Sequence, residues 1–485
     1  MRSNIDNGLI QQYLARAGII EDHIQTKKRN ALMQKLCALV PEFEEEIARR
    51  KTFPRGDFKC QLKPFGSYGL GGYLAGADID IVLLGTRDVE RRDFYRTFRG
   101  ALRRITENIE VIKRTAVPII KCNIDSIPVD ISFVSLKLST VPRNINLVDD
   151  RYLEGLDKEC FASMDGPRTQ KFILDHIEPD HMPVFRCALQ CIKYWATQRF
   201  LYGKPMGYLN GSTWTFLLLK TYMSVNSGHI SVFGLLQEFF DMWSNWPWPQ
   251  PVLLTEHIPG LHGTAVNYED IEDFKKSVMP IVSPCYPVCS STPFATTSTL
   301  RVITQEFKRA KTIMKSDYFS DINSLLMKLF KELNFFGRYK HFLRVMVTSE
   351  TIKSDETWKR KMATAIPKLL ELLEAHPDIT FIHPYTKSYT ESYSYSTLQG
   401  KAAIREGYSD YVENFSSPLQ PGKLFMTNHL IGLEVSAPVP EIDISNEIHE
   451  FIEELEAKRN ERDVDVTFKI SSSKRSDLRL LVANS

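Results

Sequence analysis

Gly66 and Ser67, followed after a glycine-rich spacer by Asp78-Ile79-Asp80, constrain this chain more than any other feature. The stretch reads PFGSY, then a spacer holding Gly69, Gly71, Gly72 and Gly76, then ADIDIVLLG. The apolar run from Ile79 to Leu84, bounded by glycines, predicts a buried strand. Side chains two apart on a strand share a face, so Asp78 and Asp80 project to one side. Two carboxylates beside a core need a neutralising partner. The usual one is a divalent cation with hard oxygen ligands, most often magnesium.

Asp130 supplies a third acid, inside the apolar run SIPVDISFV. A lone buried aspartate carries a heavy desolvation cost. Three acids converging from two neighbouring strands can hold two metals, the arrangement that phosphoryl and nucleotidyl transfer uses. If Gly66-Ser67 opens a helix, its backbone N–H groups and the serine hydroxyl face a phosphate. Glycine at that point lets the backbone approach closely. Asp463-Val464-Asp465-Val466 repeats the acid–apolar pattern without an upstream Gly-Ser element, and reads as a solvated strand start.

At 485 residues the chain is too long for one core, and two or three domains are expected. The 43% hydrophobic and 25% charged residues are ordinary globular composition. No apolar run reaches membrane-spanning length. The eight cysteines are scattered without zinc spacing, and Cys187, Cys191, Cys285 and Cys289 read as packing residues. A net charge of +2 gives no compositional argument for nucleic acid. Any RNA affinity must come from local groups such as Lys27-Lys28-Arg29, Arg91-Arg92, Arg103-Arg104, and the basic residues within 308–315 and 353–361. Each reads first as a solvated helix face.

Along the chain, residues 8–51 show helical spacing. Strands are expected over 59–64, 78–84, 117–124 and 127–134, with a helix over 92–108 between two of them. From about 147 to 330 the pattern is helical, over 183–200, 212–225, 298–313 and 318–333. The aromatic tract Trp243 to Trp248 reads as packing between elements. After Asn334 the order is β-α-β-β-α-β, which predicts a split βαβ domain with an antiparallel sheet. The Tyr/Ser-rich stretch from Tyr385 to Pro421 reads as a long excursion.

The Gly-Ser, spacer, Asp-x-Asp, distant Asp pattern resembles the DNA polymerase β-like nucleotidyltransferase superfamily. The ordered blocks PFGSY…GADID, VPIIKCNIDSIPVDISF, IKYWATQRFLY, WPWPQPVLL, MPIVSPCYP and NFFGRYKHFL resemble the eukaryotic nuclear poly(A) polymerases, over residues 10–475. That resemblance implies an α+β multidomain fold. Residues 52–146 would form a polymerase β-like catalytic domain, 1–51 plus 147–333 a helical middle domain, and 334–485 an RNA-recognition-like, ferredoxin-like domain. No aromatic-rich base-stacking consensus stands in that last segment.

The implied activity is template-independent addition of AMP from ATP to an RNA 3′ end. Asp78, Asp80 and Asp130 would be the catalytic metal ligands, for magnesium, with manganese as a substitute. Phe65, Gly66, Ser67, Lys193, Tyr202, Gly211 and Ser212 would contact the nucleotide. On residues alone, Lys193 is equally a snorkelling lysine in an apolar helix, and Phe65 equally a core residue. The chain departs from the family pattern at Asn210, Ser212, Asp165 and Gly203-Lys204, all near the base or the RNA end in relatives. A transferase specific for UTP or CTP and a catalytically silent RNA-binding scaffold are the rival readings. The resemblance also implies a monomer in the nucleus, acting with the mRNA 3′-end cleavage and polyadenylation machinery. No clear targeting signal stands in the chain itself.

Overall fold

The computed structural model describes residues 7–51, 59–225, 230–316, 321–408, 419–436, 442–460, 463, 465–476 and 478. Two helices, Asn7–Arg16 and His23–Lys51, precede the first sheet. That sheet contains β1 (Gln61–Phe65), β2 (Ile79–Gly85), β3 (Ile109–Ile112), β4 (Ile119–Ile124) and β5 (Ile127–Ser135). Their order is β1-β2-β5-β4-β3, with β2 and β5 parallel and the other pairs antiparallel. The helical stretch after β2 runs only from 91 to 102, shorter than the expected 92–108, because Ile109–Ile112 is drawn into the sheet as an edge strand.

Alternation along β2 divides its side chains between two cores. Ile79, Ile81 and Leu83 pack with Leu32, Leu36 and Phe43 of the long helix, and with Phe94 and Phe98. Val82 and Leu84 pack on the other face with Val134, Leu136 and Met164. Of residues 1–51, expected together in the middle domain, the described ones, 7–51, are thus divided. Ile10 and Leu14 join the helical core, whereas helix His23–Lys51 covers the sheet.

The middle of the chain is helical, and its principal helices are Met182–Gln198, Gly211–Ser224, Val232–Asn245 and Thr297–Lys315. A two-stranded ribbon, β6 (Ile258–Pro259) with β7 (Ala265–Val266), lies outside their core. Trp243 is fully buried, with Trp246 and Trp248 rings 4.9 and 6.1 Å away, so the aromatic tract is packing, as expected.

The C-terminal sheet has β8 (His341–Ser349), β9 (Ile379–Pro384), β10 (Tyr389–Thr397), β11 (Leu419–Val435) and β12 (Thr467–Lys474). The order β12-β8-β11-β9 is entirely antiparallel and has the split βαβ connection, with helix Ile352–Ala375 between β8 and β9. β10 extends the β9 edge by pairing with the first half of β11. The Tyr/Ser-rich stretch is therefore not the long excursion its composition suggested. It holds β10 and helix Leu398–Arg405, while residues 409–418 lie outside the described ones. Ile404 of that helix packs on Met346, Leu424 and Met426. Val345 and Val347, on the alternate face of β8, pack instead with Trp358 and Ile366. The sheet face opposite its long helix is thus partly covered by the chain's own insertion.

Middle and C-terminal segments share one apolar core, in which Phe200 meets Tyr385 at 4.7 Å. Tyr208 Oη donates to the Pro384 carbonyl at 3.0 Å, and the buried Arg199 pairs with Glu306 at 2.8 Å. Among the described residues, no helix is long and apolar enough to cross a membrane.

Candidate functional site

Asp80 on β2 sits in register with Asp130 on β5 and with Phe65 on β1. Asp78 precedes β2 by one residue and is exposed. Among the described residues, these three carboxylates form a cluster whose ligand atoms lie within 4.8 Å of one another. Burial, then Asp78 and Asp130, push the Asp80 carboxyl up to about 7, while Lys121 and Lys193 pull it back. Crowded carboxylates with hard oxygen donors are the donor set a divalent cation requires. The residues therefore fit such a metal.

Phe65 and Gly66 form the turn beneath the acids. Gly66 has φ +64°, and a Cβ there would lie 2.6 Å from Asp80 Oδ2. Glycine is thus required twice over, for the left-handed backbone and for the contact. Gly66–Leu70 does open as a helix, of one turn, closed by Gly71 at φ 76°.

Helix Met182–Gln198 grips the loop that follows. Arg186 donates to the Leu70 carbonyl at 2.6 Å, Gln190 to Tyr73 at 3.0 Å and Lys193 to Gly72 at 3.0 Å. Positions four and seven apart share a helix face, so one stripe holds three loop carbonyls. Lys193 is therefore no snorkelling residue. It is 5% exposed, and burial pushes its ammonium down to about 8 while Asp80 and Asp78 pull it up.

Phe65, Gly66, Ser67, Asp78, Asp80, Lys193, Tyr202, Gly211 and Ser212 all line one cleft of about 430 Å³. Asp130 stands at its edge through the acid cluster. Burial, then Asp78, push the Tyr202 hydroxyl up to about 12. Its oxygen lies 2.5 Å from where a Cβ on Gly211 would be. The ring of Phe65 closes on Gly166, whose Cβ would fall 2.5 Å from Phe65 Cε2. Asn210 caps helix Gly211–Ser224, its Oδ1 accepting from Thr213 N at 3.0 Å and Ser212 Oγ at 2.8 Å. Asp165 and Lys204 also line the cleft, and burial raises the Asp165 carboxyl against the pull of Lys204 and Arg168.

Sequence reasoning missed Lys121, whose Nζ lies 2.6 Å from Asp130 Oδ2 across the β4–β5 pair. Its signal was a lysine in the otherwise apolar run VPIIKC. Gln170, Ser283, Cys289 and Ser291 also line the cleft, and nothing in their local sequence marked them. Cys289, expected to be packing, is exposed there, whereas Cys285, Cys187 and Cys191 are buried as expected. Asp463 and Asp465 belong elsewhere. Asp463 meets Lys361 at 2.9 Å, and Asp465 accepts from Glu350 N at 3.1 Å. Most of the basic clusters are also paired internally. Arg91 bonds Asp157, Arg104 bonds Glu42, and Lys311 and Lys315 bond Asp241.

Three family profiles match the chain end to end. The poly(A) polymerase nucleotidyltransferase domain matches residues 4–177, the poly(A) polymerase central domain 184–332, and the poly(A) polymerase predicted RNA binding domain 334–485. Poly(A) polymerase PAPa of Candida albicans is 30% identical over 461 residues, covering 89% of this chain and 81% of that protein. The chain belongs to the poly(A) polymerase family. A second Candida albicans relative, poly(A) polymerase PAPalpha, is 29% identical over 454 residues, covering 90% of this chain and 80% of that protein. Among solved structures, the RNA terminal uridylyl transferase Cid1 superposes with a TM-score of 0.46 at 14% identity, over 67% of this chain and 98% of that one. That likeness is too loose to speak to substrate. As a member of the poly(A) polymerase family, the chain is a polynucleotide adenylyltransferase that extends RNA without a template. Its nucleotidyltransferase domain and acid cluster imply a divalent metal and a nucleotide substrate.

Proposed function

We propose that Asp78, Asp80 and Asp130 hold two divalent cations, magnesium in the cell, at the junction of ATP and the RNA 3′ end. The observation that carries this is the acid cluster beside Gly66, where burial, then Asp78 and Asp130, push Asp80 up to about 7. The chemistry such a pair supplies when bound is activation of the 3′-hydroxyl and stabilisation of the leaving pyrophosphate. Ser67 and Lys193 hold the β- and γ-phosphates, the lysine exchanging the Gly72 carbonyl for phosphate oxygen. Phe65, Tyr202, Gly211 and Ser212 form the wall against the base.

Because the middle and C-terminal segments share one core, we propose that they close on the catalytic domain together and exclude water from the triphosphate. The nucleus and the 3′-end cleavage and polyadenylation proteins are its proposed setting.

The test uses the two α-thio diastereomers of ATP. One is expected to be used poorly with magnesium and restored by manganese, as for a metal-bound α-phosphate. Equal use of both diastereomers with either ion overturns the reading.

Lys193 carries a pH prediction. Its pKa is lowered, so the charge in the nucleotide-free protein is lost as pH rises through about 8, and the triphosphate binds the charged form. The KM for ATP is expected to rise between about pH 8 and 9, with kcat less affected. Lys193→Met is expected to raise KM at neutral pH and flatten that rise. A KM that is the same for both proteins at every pH contradicts the assignment.

A further inference from the structure

The basic triplet Lys27-Lys28-Arg29 hides a residue of a different kind. Arg29 is 1% exposed, inside helix His23–Lys51. Its Nε lies 2.8 Å from both carboxylate oxygens of Glu21, whose side chain is only 7% exposed. Its Nη2 donates to the Ala77 carbonyl at 2.5 Å. The Arg29 guanidinium also lies 4.9 Å from the centre of the Tyr73 ring.

The carbonyl of Ala77 belongs to the same planar peptide as the N–H of Asp78. Holding that oxygen fixes the plane from which the Asp78 side chain departs. Asp78 needs such a hold, since strand pairing begins at Ile79 and Asp80. Asp80 and Asp130 are fixed by the sheet, whereas Asp78 stands before it. The rest of the loop is clamped to the same segment, for Ala75 N donates to the Ile19 carbonyl at 2.9 Å.

We propose that Arg29, oriented by Glu21, is a positioning residue that sets the geometry of Asp78 toward the metal. The inference rests on the reading of Asp78 as a ligand. A planar fork can hold a carboxylate and a carbonyl at once, whereas a lysine ammonium is a point charge on a flexible stem. Arg29→Lys therefore keeps the charge beside Glu21 and loses the simultaneous grip. The double variant Glu21→Met/Arg29→Met removes both buried charges, which proteins commonly tolerate, and removes the grip entirely.

The experiment measures Mn²⁺ affinity by electron paramagnetic resonance without nucleotide, beside kcat, the KM for ATP and the melting temperature. Both variants are expected to bind Mn²⁺ about 10-fold more weakly and to lose about 10- to 100-fold in kcat, the range for residues that orient ligands from behind. The KM for ATP is expected to stay within about twofold. Wild-type Mn²⁺ affinity in the folded variants overturns the proposal, whatever kcat does. So does a loss of kcat that only tracks a fall in melting temperature. Should the double variant not fold, Arg29→Lys decides alone. Asp78→Asn run alongside separates the two levels, because wild-type Mn²⁺ affinity in that variant removes the ligand reading itself.

Discussion

Asp80→Ala is expected to lower RNA extension by at least about a thousandfold while ATP affinity changes by only a few fold. Metal stabilisation of the developing charge is worth several kcal/mol, and each 1.36 kcal/mol is a decade in rate. Asp80 is the central acid, in register with Asp130 and pressed against Gly66. Ser67, Lys193 and the rest of the cleft wall stay in place, although Lys193 loses one of the two carboxylates that hold up its charge, so the affinity change is a few fold rather than none. The same substitution relieves crowding. An acid whose folded pKa is raised to about 7 is bound to its proton in the folded state at pH values where the unfolded chain has released it. The metal-free wild type is therefore destabilised as pH rises from about 4 to 7, since the unfolded state binds fewer protons. Asp80→Ala is expected to flatten that fall in melting temperature. Single-turnover extension and thermal melts without metal check both halves, and substantial extension by the variant removes Asp80 from the chemistry.

Gly66→Ala is expected to cost about a hundredfold in kcat, the effect of roughly 1 Å of misplacement at a reacting centre. A Cβ would stand 2.6 Å from Asp80 Oδ2, and φ of +64° adds the left-handed penalty of about 1–2 kcal/mol. Gly18 separates the two effects. Its φ is +66°, but nothing lies within 4 Å of a Cβ there. Gly18→Ala should lose a similar increment of melting temperature and keep its rate. Equal rate losses in the two variants would mean that backbone strain, not the Asp80 contact, governs the effect.

The acid cluster was legible because a glycine-bounded apolar run puts Asp80 on a strand with Asp78 two residues ahead of it, although Asp78 itself lies just before the paired residues. Asp130 needed the parallel pairing of β2 with β5, which spacing alone does not give. The helical middle and the split βαβ order were also legible from period and length. The Tyr389–Thr397 strand was missed because tyrosine and serine read as an irregular segment, although YTESYSYST alternates and contains β-favouring residues. Arg29 was misread because a basic triplet on a helix looks like a solvated face. Only the tertiary approach of Glu21 and Ala77 shows that its third member turns inward. Lys121 was passed over because it contacts Asp130 across a strand pair, a neighbour that linear spacing does not mark. Asp165, Lys204 and Ser291 come from separate segments that meet only in the cleft.

The most direct measurement is extension of a 5′-labelled short RNA by each of the four ribonucleotides in turn, with magnesium, by wild type and Asp80→Ala. A long ladder with ATP only, lost in the variant, is the expected result. Efficient extension by UTP, or none by any nucleotide, would contradict the adenylyltransferase assignment.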